Sequence, residues 1–303
     1  MVLRPHVLGC LGLATSLLSC AIPEKVGVSR GPSLVGLTVA VDAGPFLMGS
    51  TLDERAVAIE LDYASLGRAT PDVSMWIKKE YRQSTVELAA FRIMRTPVTQ
   101  RDYLEFMRET GAPEPYVDPA TWNRQDLGRP YAEVKKFLWR QGLPRRDREP
   151  HPVVLVEHGQ AAAYCAWWGK RYGVRARLPT EAQWEKAARG ERGQAYPWGP
   201  NFDPNLLNGF EAKFDDTLPV GSFSDAESPY GAQDMAGNVF EWTQTPFDGD
   251  RYVVKGGAFS TTGGLARAAA RHGRPANLRH VTIGFRCVTP PIGKKSKRDG
   301  GSK

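Results

Sequence analysis

The sequence predicts an irregular α+β domain with little regular secondary structure. Glycine and proline are numerous, with 31 and 23 residues, which indicates many loops and tight turns. Helical apolar patterns are few, and from Pro197 onward the chain shows only short strand patterns, turns and scattered aromatic residues. This combination disfavours a doubly wound parallel sheet, in which long helices alternate regularly with strands.

The first part of the domain combines strand patterns with helical ones. Val39-Ala40-Val41 alternates and leads into Gly44-Pro45-Phe46-Leu47-Met48-Gly49-Ser50, which predicts a strand and a turn. A helical pattern follows at about 53–66. Thr70-Pro71-Asp72 predicts a second helix, because proline is favoured at the first helical position. Phe91-Arg92-Ile93 predicts a further short strand.

Capping signals locate the later helices. Thr99 and Asp102 can cap a helix that Gly111 ends. Three further helices are predicted near 131–141, around 160–171 and after Thr180, where Gln183 completes a capping box.

The N-terminus has the pattern of a secretory signal. Arg4 is the only formal charge in the first nineteen residues, and the apolar run Val7–Leu18 is too short to span a bilayer as a helix. Leu17-Leu18-Ser19-Cys20 is typical of a bacterial lipobox, so we expect cleavage before Cys20 and lipidation that anchors it in a bilayer. The non-acidic Ala21 favours the outer membrane, facing the periplasm. The alternative is an ordinary signal peptide with an incidental cysteine.

These features divide the chain into four parts: a signal peptide at 1–19, a lipidated N-terminus and tether at 20–36, one large domain at 37–290 and a basic tail at 291–303. Much of the net charge of +7 lies in that tail, where five basic residues face only Asp299. We predict a solvated, disordered end and no nucleic-acid partner.

Two cysteines remain in the mature domain once Cys10 is removed with the signal and Cys20 is lipidated. These are Cys165 and Cys287. In an oxidising compartment they can form a disulfide, and the alternative is two buried free thiols.

Sequence blocks follow one another over roughly 39–288: Gly44-Pro45-Phe46-Leu47-Met48-Gly49-Ser50, Thr96-Pro97-Val98-Thr99, Arg177-Leu178-Pro179-Thr180-Glu181, Tyr196-Pro197-Trp198-Gly199, Asp234-Met235-Ala236-Gly237-Asn238-Val239-Phe240-Glu241-Trp242, Lys255-Gly256-Gly257 and Ile283-Gly284-Phe285-Arg286-Cys287. Together they resemble the sulfatase-modifying-factor domain, also called the formylglycine-generating-enzyme family. The resemblance implies a C-type-lectin-like core with little regular secondary structure, in agreement with the α+β prediction. It also implies a disulfide between Cys165 and Cys287.

The resemblance further implies a calcium site. Its ligands would be side-chain or main-chain oxygens of Asp234, Gly237, Val239 and Glu241. Ca²⁺ prefers six to eight oxygen ligands, and a turn with two carboxylates supplies several. The alternative is that Glu241 pairs with a core arginine such as Arg267 or Arg271.

The segment after Lys255-Gly256-Gly257 departs from the oxidases of the family. These enzymes place a serine next and then two cysteines that bind Cu(I). Here Ala258 stands at the serine, Thr261 near one cysteine, and a gap or Leu265 at the other. A hydroxyl cannot replace a soft thiolate as a Cu(I) ligand, so we expect no copper site.

Non-haem iron is a further possibility, because the hercynine-oxygenase branch of the family uses it. Five histidines are present, and no two have the i, i+4 spacing of that branch: His6, His151, His158, His272 and His280. The identity of any redox metal is left open, since His158, His272 or His280 could still join a carboxylate in space.

Two classes of function therefore remain. The first is a pyoverdine-maturation-like enzyme that acts on a peptide or secreted metabolite. The second is a non-catalytic, lectin-like domain that binds a peptide, glycan or protein at the outer membrane. Candidate catalytic residues are His272, Arg271, Ser260 and Thr261. We expect a cleft lined by Ser260–Leu265, Arg271, His272 and the 112–150 segment, in which Trp122, Tyr131 and Trp139 either stack on a ligand or cap the core.

Overall fold

The computed structural model describes residues 33–68, 71–125 and 128–292. The signal segment, Cys20 and most of the basic tail lie outside the described residues, so lipid anchoring and the character of the tail stay predictions. Within the described ranges, no helix is both long and apolar enough to cross a membrane.

The domain is built from short elements, as the composition predicts. The helices are α1 (Leu52–Leu66), α2 (Pro71–Ile77), α3 (Gln100–Thr110), α4 (Pro119–Arg124), α5 (Tyr131–Val134), α6 (His158–Arg171) and α7 (Glu181–Arg189). The strands are β1 (Thr38–Val41), β2 (Gly44–Met48), β3 (Ser84–Leu88), β4 (Phe91–Met94), β5 (Phe240–Asp248), β6 (Arg251–Lys255), β7 (His272–Pro275), β8 (Ile283–Gly284) and β9 (Val288–Thr289).

Local capping explains the helices that the sequence predicts best. Thr99 and Asp102 form a capping box at the start of α3, and Gly111 ends that helix in the left-handed conformation. Thr180 and Gln183 form the corresponding box before α7. Each of these capping boxes lies within four consecutive residues, so the sequence alone is enough to predict where the helix begins.

The prediction of a helix near 131–141 is wrong beyond its first turn. Helix α5 ends at Val134, and the chain then turns so that both Phe137 and Trp139 are buried. A continuous helix would place residues two positions apart on different faces. Packing of both rings into the core therefore outweighs the helical pattern. Trp122 is also buried, so these tryptophans cap the core.

Three small antiparallel or mixed sheets hold the elements together. Their strand orders are β1-β4-β9, β2-β3 and β7-β6-β5-β8. At nine residues, β5 is longer than the short strands predicted after Pro197. Its register shifts on either side of Pro246, and such an irregularity lets a strand accommodate proline.

The main core lies between α3, α6 and the sheet that contains β5 and β6. It includes Cys165 on α6 and Cys287 beside β9, which form a disulfide with a Cα–Cα distance of 5.6 Å. The predicted pairing is confirmed, and the alternative of two free thiols is wrong. The bridge joins α6 to the C-terminal edge of the domain.

Candidate functional site

The segment that follows Lys255-Gly256-Gly257 lies inside the domain rather than along an open cleft. Ser260 is exposed, but Thr261, Thr262 and Leu265 are buried, and Gly263–Leu265 forms a 3₁₀ turn. The prediction of an open cleft along Ser260–Leu265 is therefore wrong. The prediction fails because two helices cover this segment. Sequence periodicity predicts a helix but does not show where in the fold it packs.

Helices α1 and α2 form this cover. They are inserted between β2 and β3, which pair with each other as an antiparallel ladder. Helix α1 lies directly on the 3₁₀ turn, since a Cβ atom on Gly264 would stand 2.3 Å from the Ala58 carbonyl oxygen. Nearby, the Thr262 hydroxyl donates to the Asp62 carboxylate. The cover thus packs on Thr262, Gly264 and Leu265, within the segment where the resemblance places the copper ligands of the oxidases.

Ion pairs fix the cover at both of its ends. The buried Arg267 guanidinium lies 3.2 Å from a carboxylate oxygen of Glu54 in the first turn of α1. It also lies 2.5 Å from Glu80, which follows α2. Glu54 pairs in addition with the buried Arg189 on α7, at 3.2 Å. Removal of one partner from such a pair would leave a buried charge without compensation, which is strongly destabilising.

Gly264→Ala tests how closely α1 packs on this turn. We expect the free energy of unfolding to fall by about 2–3 kcal/mol, because the new methyl group collides with helix backbone that cannot move independently. Gly159→Ala is the matched control, since its Cβ meets no atom within 4 Å. Urea denaturation of both variants measures the difference, and equal stabilities would contradict the close packing.

Asp62 is the polar group that α1 buries most deeply. It is only 3 % exposed, and one of its carboxylate oxygens has no hydrogen-bond partner in the part of the chain that the structure describes. Burial raises the pKa of Asp62 to about 6, and the nearby Glu211 carboxylate adds to the increase. The Thr262 hydroxyl and Arg267 oppose it. The charged form of Asp62 is therefore disfavoured beneath the cover.

This raised pKa predicts how the cover responds to pH. The folded state holds the Asp62 proton more tightly than the unfolded chain, whose ordinary pKa is near 3.8. The stabilising contribution of Asp62 to the free energy of unfolding is thus fully present below that value and is lost as pH rises through about 6. We expect Asp62→Asn to stabilise the protein at pH 7 and to have little effect at pH 4.

Amide hydrogen exchange in α1, measured on wild type and variant across this range, checks the result. Asp53→Asn serves as a control because that carboxylate is exposed on the same helix. A difference between wild type and Asp62→Asn that does not change with pH would contradict the assignment.

The four candidate catalytic residues do not form a common constellation. Arg271 donates two hydrogen bonds to Glu181, at 2.7 and 2.8 Å, and lies over the Tyr81 ring. The Thr261 hydroxyl accepts from the Ala258 amide at 2.9 Å. Both groups therefore have structural partners, whereas Ser260 is exposed to solvent.

His272 differs from the other candidates because its imidazole is buried without a partner. Neither ring nitrogen has a hydrogen-bond partner among the described residues, and the ring centroid lies 5.0 Å from those of Trp76 and Phe240. Burial holds the pKa of His272 well below its usual value, so the ring is neutral. Since Trp76 belongs to α2, access to His272 requires displacement of the cover.

The other histidines are held separately. His158 lies 3.0 Å from the Thr243 carbonyl oxygen, and His280 lies 2.5 Å from the Thr282 hydroxyl. Among residues 33–68, 71–125 and 128–292, no three His, Cys, Asp or Glu side chains meet where a metal could bind. In this part of the chain, no iron-binding triad of the kind considered above is assembled.

Glu241 pairs with an arginine, but with neither of the two named above. Its carboxylate accepts from Arg286 at 2.7 Å on each oxygen and from the Trp184 indole at 2.9 Å. Arg286 also donates to main-chain carbonyls of Met94, Arg95, Gln233 and Asp234. Arg267 and Arg271 were wrong candidates, because they pair with Glu54, Glu80 and Glu181.

The calcium site stays a prediction, and its expected ligands differ in the partners that the structure gives them. Burial raises the pKa of Asp234 to about 6, and its carboxylate accepts a hydrogen bond from the Gly221 amide. The carbonyls of Gly237 and Val239 accept no hydrogen bond from the described residues. Glu241 is already neutralised by Arg286, so the cation would depend mainly on Asp234 and main-chain oxygens.

We expect 1 mM Ca²⁺ to raise the melting temperature of the chain relative to about 1 mM EDTA, because a ligand that binds only the folded state stabilises it. Asp234→Asn should reduce this increase, since it removes an expected carboxylate ligand that forms no ion pair within the described residues. Differential scanning calorimetry measures both changes, and Mg²⁺ at the same concentration tests selectivity. Identical melting temperatures in Ca²⁺ and EDTA would contradict the calcium prediction.

An open groove of about 790 Å³ lies beside the cover, between α1 and the loop 192–202. The Trp198 indole forms part of its wall and stacks on Tyr196 with a centroid distance of 5.1 Å. Sequence reasoning assigned no ligand role to Trp198. The available signal was an aromatic residue within the Pro- and Gly-containing block Tyr196-Pro197-Trp198-Gly199.

The fold and the position of the covered segment define the class of protein. It is a formylglycine-generating-enzyme-type domain in which Thr261 stands near one of the expected copper-binding cysteine positions and a gap or Leu265 at the other. The family model for the sulfatase-modifying factor enzyme 1-like domain matches residues 28–291, and the chain belongs to this family.

Individual relatives differ in what their names say about activity. The chain is 35 % identical over 246 residues to the inactive C-alpha-formylglycine-generating enzyme 2 of Mus musculus, covering 69 % of this chain and 77 % of that one. It is 28 % identical over 307 residues to the hercynine oxygenase of Mycolicibacterium smegmatis, covering 89 % and 64 %. PvdO from Pseudomonas aeruginosa has a similar fold, with a TM-score of 0.61 at 23 % identity over 84 % of this chain and 94 % of PvdO.

Proposed function

We propose that this chain is a non-catalytic ligand-binding member of the family. The observation that carries the proposal is the covered segment: Thr261, near one expected thiol position, is buried, and Leu265, the alternative to a gap at the other, packs against Ala58 of α1. A substrate cannot approach these positions while Arg267 holds both ends of the cover. The name of the Mus musculus relative, which describes it as inactive, supports the same conclusion.

The setting of this function rests on the N-terminal pattern. We infer an exported lipoprotein that is anchored through Cys20 in the outer membrane and faces the periplasm. Its ligand would be a peptide, protein, glycan or secreted metabolite that reaches that compartment.

An oxygen-dependent turnover assay tests the absence of catalysis. The purified chain is incubated in air with cysteine-containing peptides, first with Cu(I) and then with Fe(II), and the peptides are analysed by mass spectrometry. We expect no oxidised product above the protein-free background. The formylglycine-generating enzyme of Mycobacterium tuberculosis, a relative at 29 % identity, is the positive control. Product that requires both this chain and oxygen would overturn the proposal.

A maturation-type enzyme acting on a peptide or secreted metabolite is the second candidate. The observation that favours it is the unpartnered imidazole of His272, since a buried polar group without hydrogen bonds is costly in a purely structural role. Where the wild-type chain does turn over a peptide in the same assay, His272→Phe tests whether this imidazole is responsible. A structural ring tolerates this aromatic replacement, whereas a catalytic imidazole loses all turnover.

A further inference from the structure

The groove beside α1 has a rigid aromatic wall. The Trp198 indole nitrogen donates to the Asn201 carbonyl oxygen at 2.9 Å, and the ring is nearly parallel to Tyr196, at 10°. The buried Tyr196 hydroxyl in turn donates to the Gly263 carbonyl oxygen at 2.9 Å. Trp198 is half-buried, and a second hollow of about 350 Å³ shares the segment Trp198–Phe202. One indole face is therefore fixed by packing, and the ring remains accessible at the groove.

The neighbouring loop is held equally firmly. Arg189 donates to the carbonyl oxygens of Gly193 and Gln194, at 2.7 and 2.8 Å. A wall that is ordered before a ligand arrives loses little conformational entropy on binding. Such pre-organisation of the groove wall is typical of a surface that binds ligands of one particular shape.

Polar side chains without partners surround the aromatic wall. In the described part of the chain, no hydrogen bond satisfies the side chains of Asp53, Gln83, Arg192, Gln194 and Asn201, which all line the groove. Three of these five groups are neutral amides, each able to donate and accept. They can therefore bind adjacent hydroxyl groups of a ligand in both directions.

The charges along the groove cancel. Asp53 and Arg192 have opposite signs, and Glu54 is paired with Arg267. A groove of this kind does not select a strongly anionic or cationic ligand. The combination of a bare aromatic face, amides and balanced charge fits a neutral, hydroxyl-rich molecule.

The surroundings also distinguish a sugar from an extended peptide. None of the residues that line the groove belongs to a strand, so it offers no strand edge for a peptide backbone to pair with. A pyranose ring presents a flat row of C–H bonds, whose positive ends match the negative face of an indole. Hydroxyl groups at the rim of that ring then reach the amides.

On this basis, and building on the proposed binding function, we propose that the groove binds a neutral oligosaccharide with one pyranose ring stacked on Trp198. The Val57 and Leu61 side chains of α1 form an apolar wall, and Gln194 and Asn201 supply hydrogen bonds to ring hydroxyls. The proposal assigns α1 two roles, since the helix that covers the former copper segment also lines the groove.

The test is a glycan array probed with the full chain, followed by fluorescence titration with maltotriose, cellotriose and triacetylchitotriose. We expect at least one neutral oligosaccharide to bind and to change the tryptophan emission. Trp198→Ala should lower the affinity about ten-fold or more, and Asn201→Ala should lower it less. Trp167→Ala is the matched control, because this half-buried tryptophan on α6 lies outside the groove.

Trp198→Phe distinguishes loss of the stacking surface from misfolding. It preserves an aromatic face and should therefore retain part of the affinity. Absence of binding to any glycan at about 10 mM, or unchanged affinity in Trp198→Ala, would overturn the proposal. A peptide ligand that depends on Trp198 would overturn the sugar assignment and leave the binding function standing. Oxygen-dependent turnover in the separate peptide assay would overturn the binding function without affecting the sugar titration.

Discussion

Arg286→Met is expected to lower the free energy of unfolding by about 3–5 kcal/mol, because it leaves the Glu241 carboxylate buried without its cation. Both side chains are fully buried, and the guanidinium forms two hydrogen bonds of 2.7 Å with this carboxylate. The same guanidinium donates to four main-chain carbonyls on two other segments. Its loss therefore removes a charge partner and several links between segments at once. Chemical denaturation measures the effect.

Two further variants isolate the cause. Arg251→Met removes an exposed partner of Asp248 and should cost less than about 1 kcal/mol. The double variant Arg286→Met/Glu241→Leu should be more stable than Arg286→Met alone, because no uncompensated charge remains. A double variant as unstable as the single one would show that the main-chain hydrogen bonds, rather than the buried charge, determine the loss.

The second large effect is expected from the disulfide. Cys165→Ala/Cys287→Ala should lower the free energy of unfolding by about 4–5 kcal/mol, because the bridge restricts the unfolded chain. The two cysteines are 122 residues apart, and the chain-entropy model assigns a large contribution to such a long loop. Both sulfurs are buried, so the alanines also leave small cavities.

Urea denaturation without reductant compares the wild type with the double variant. Addition of dithiothreitol should shift the wild-type midpoint toward that of the variant and leave the variant unchanged. A loss below about 1 kcal/mol would contradict the entropic account.

The two predictions concern the same corner of the fold. Arg286 and Cys287 are adjacent, so the ion pair and the disulfide hold one short segment between β8 and β9. Through Arg286 this segment is joined to β4 and β5, and through Cys287 to α6. The closing block Ile283-Gly284-Phe285-Arg286-Cys287 is thus explained by stability rather than by chemistry.

The proposed binding function depends on a different part of the domain. The cover formed by α1 and α2 packs on the buried 3₁₀ turn Gly263–Leu265, while the groove next to it remains open. The groove shares Arg267 with the ion pairs that hold the cover. The cover and the groove are therefore neighbouring features of one fold.

The sequence by itself determined the family, the α+β class, the disulfide and the helices with complete caps. These features depend on residue identities at fixed positions or on signals within one helical turn, such as Thr180 with Gln183. The order of the blocks from Gly44 to Cys287 carried the family assignment without any knowledge of contacts.

Only the tertiary structure decided what covers the segment 261–265, which arginine pairs with Glu241 and where a ligand can reach the domain. Asp62 and Thr262 are 200 residues apart in the chain, and nothing local to either residue indicates their contact. Arg286, Arg267 and Arg271 have the same side-chain chemistry, so their partners follow from the packing of distant strands and helices. Contacts of this kind are set by how the whole core fills space, which local sequence patterns do not encode.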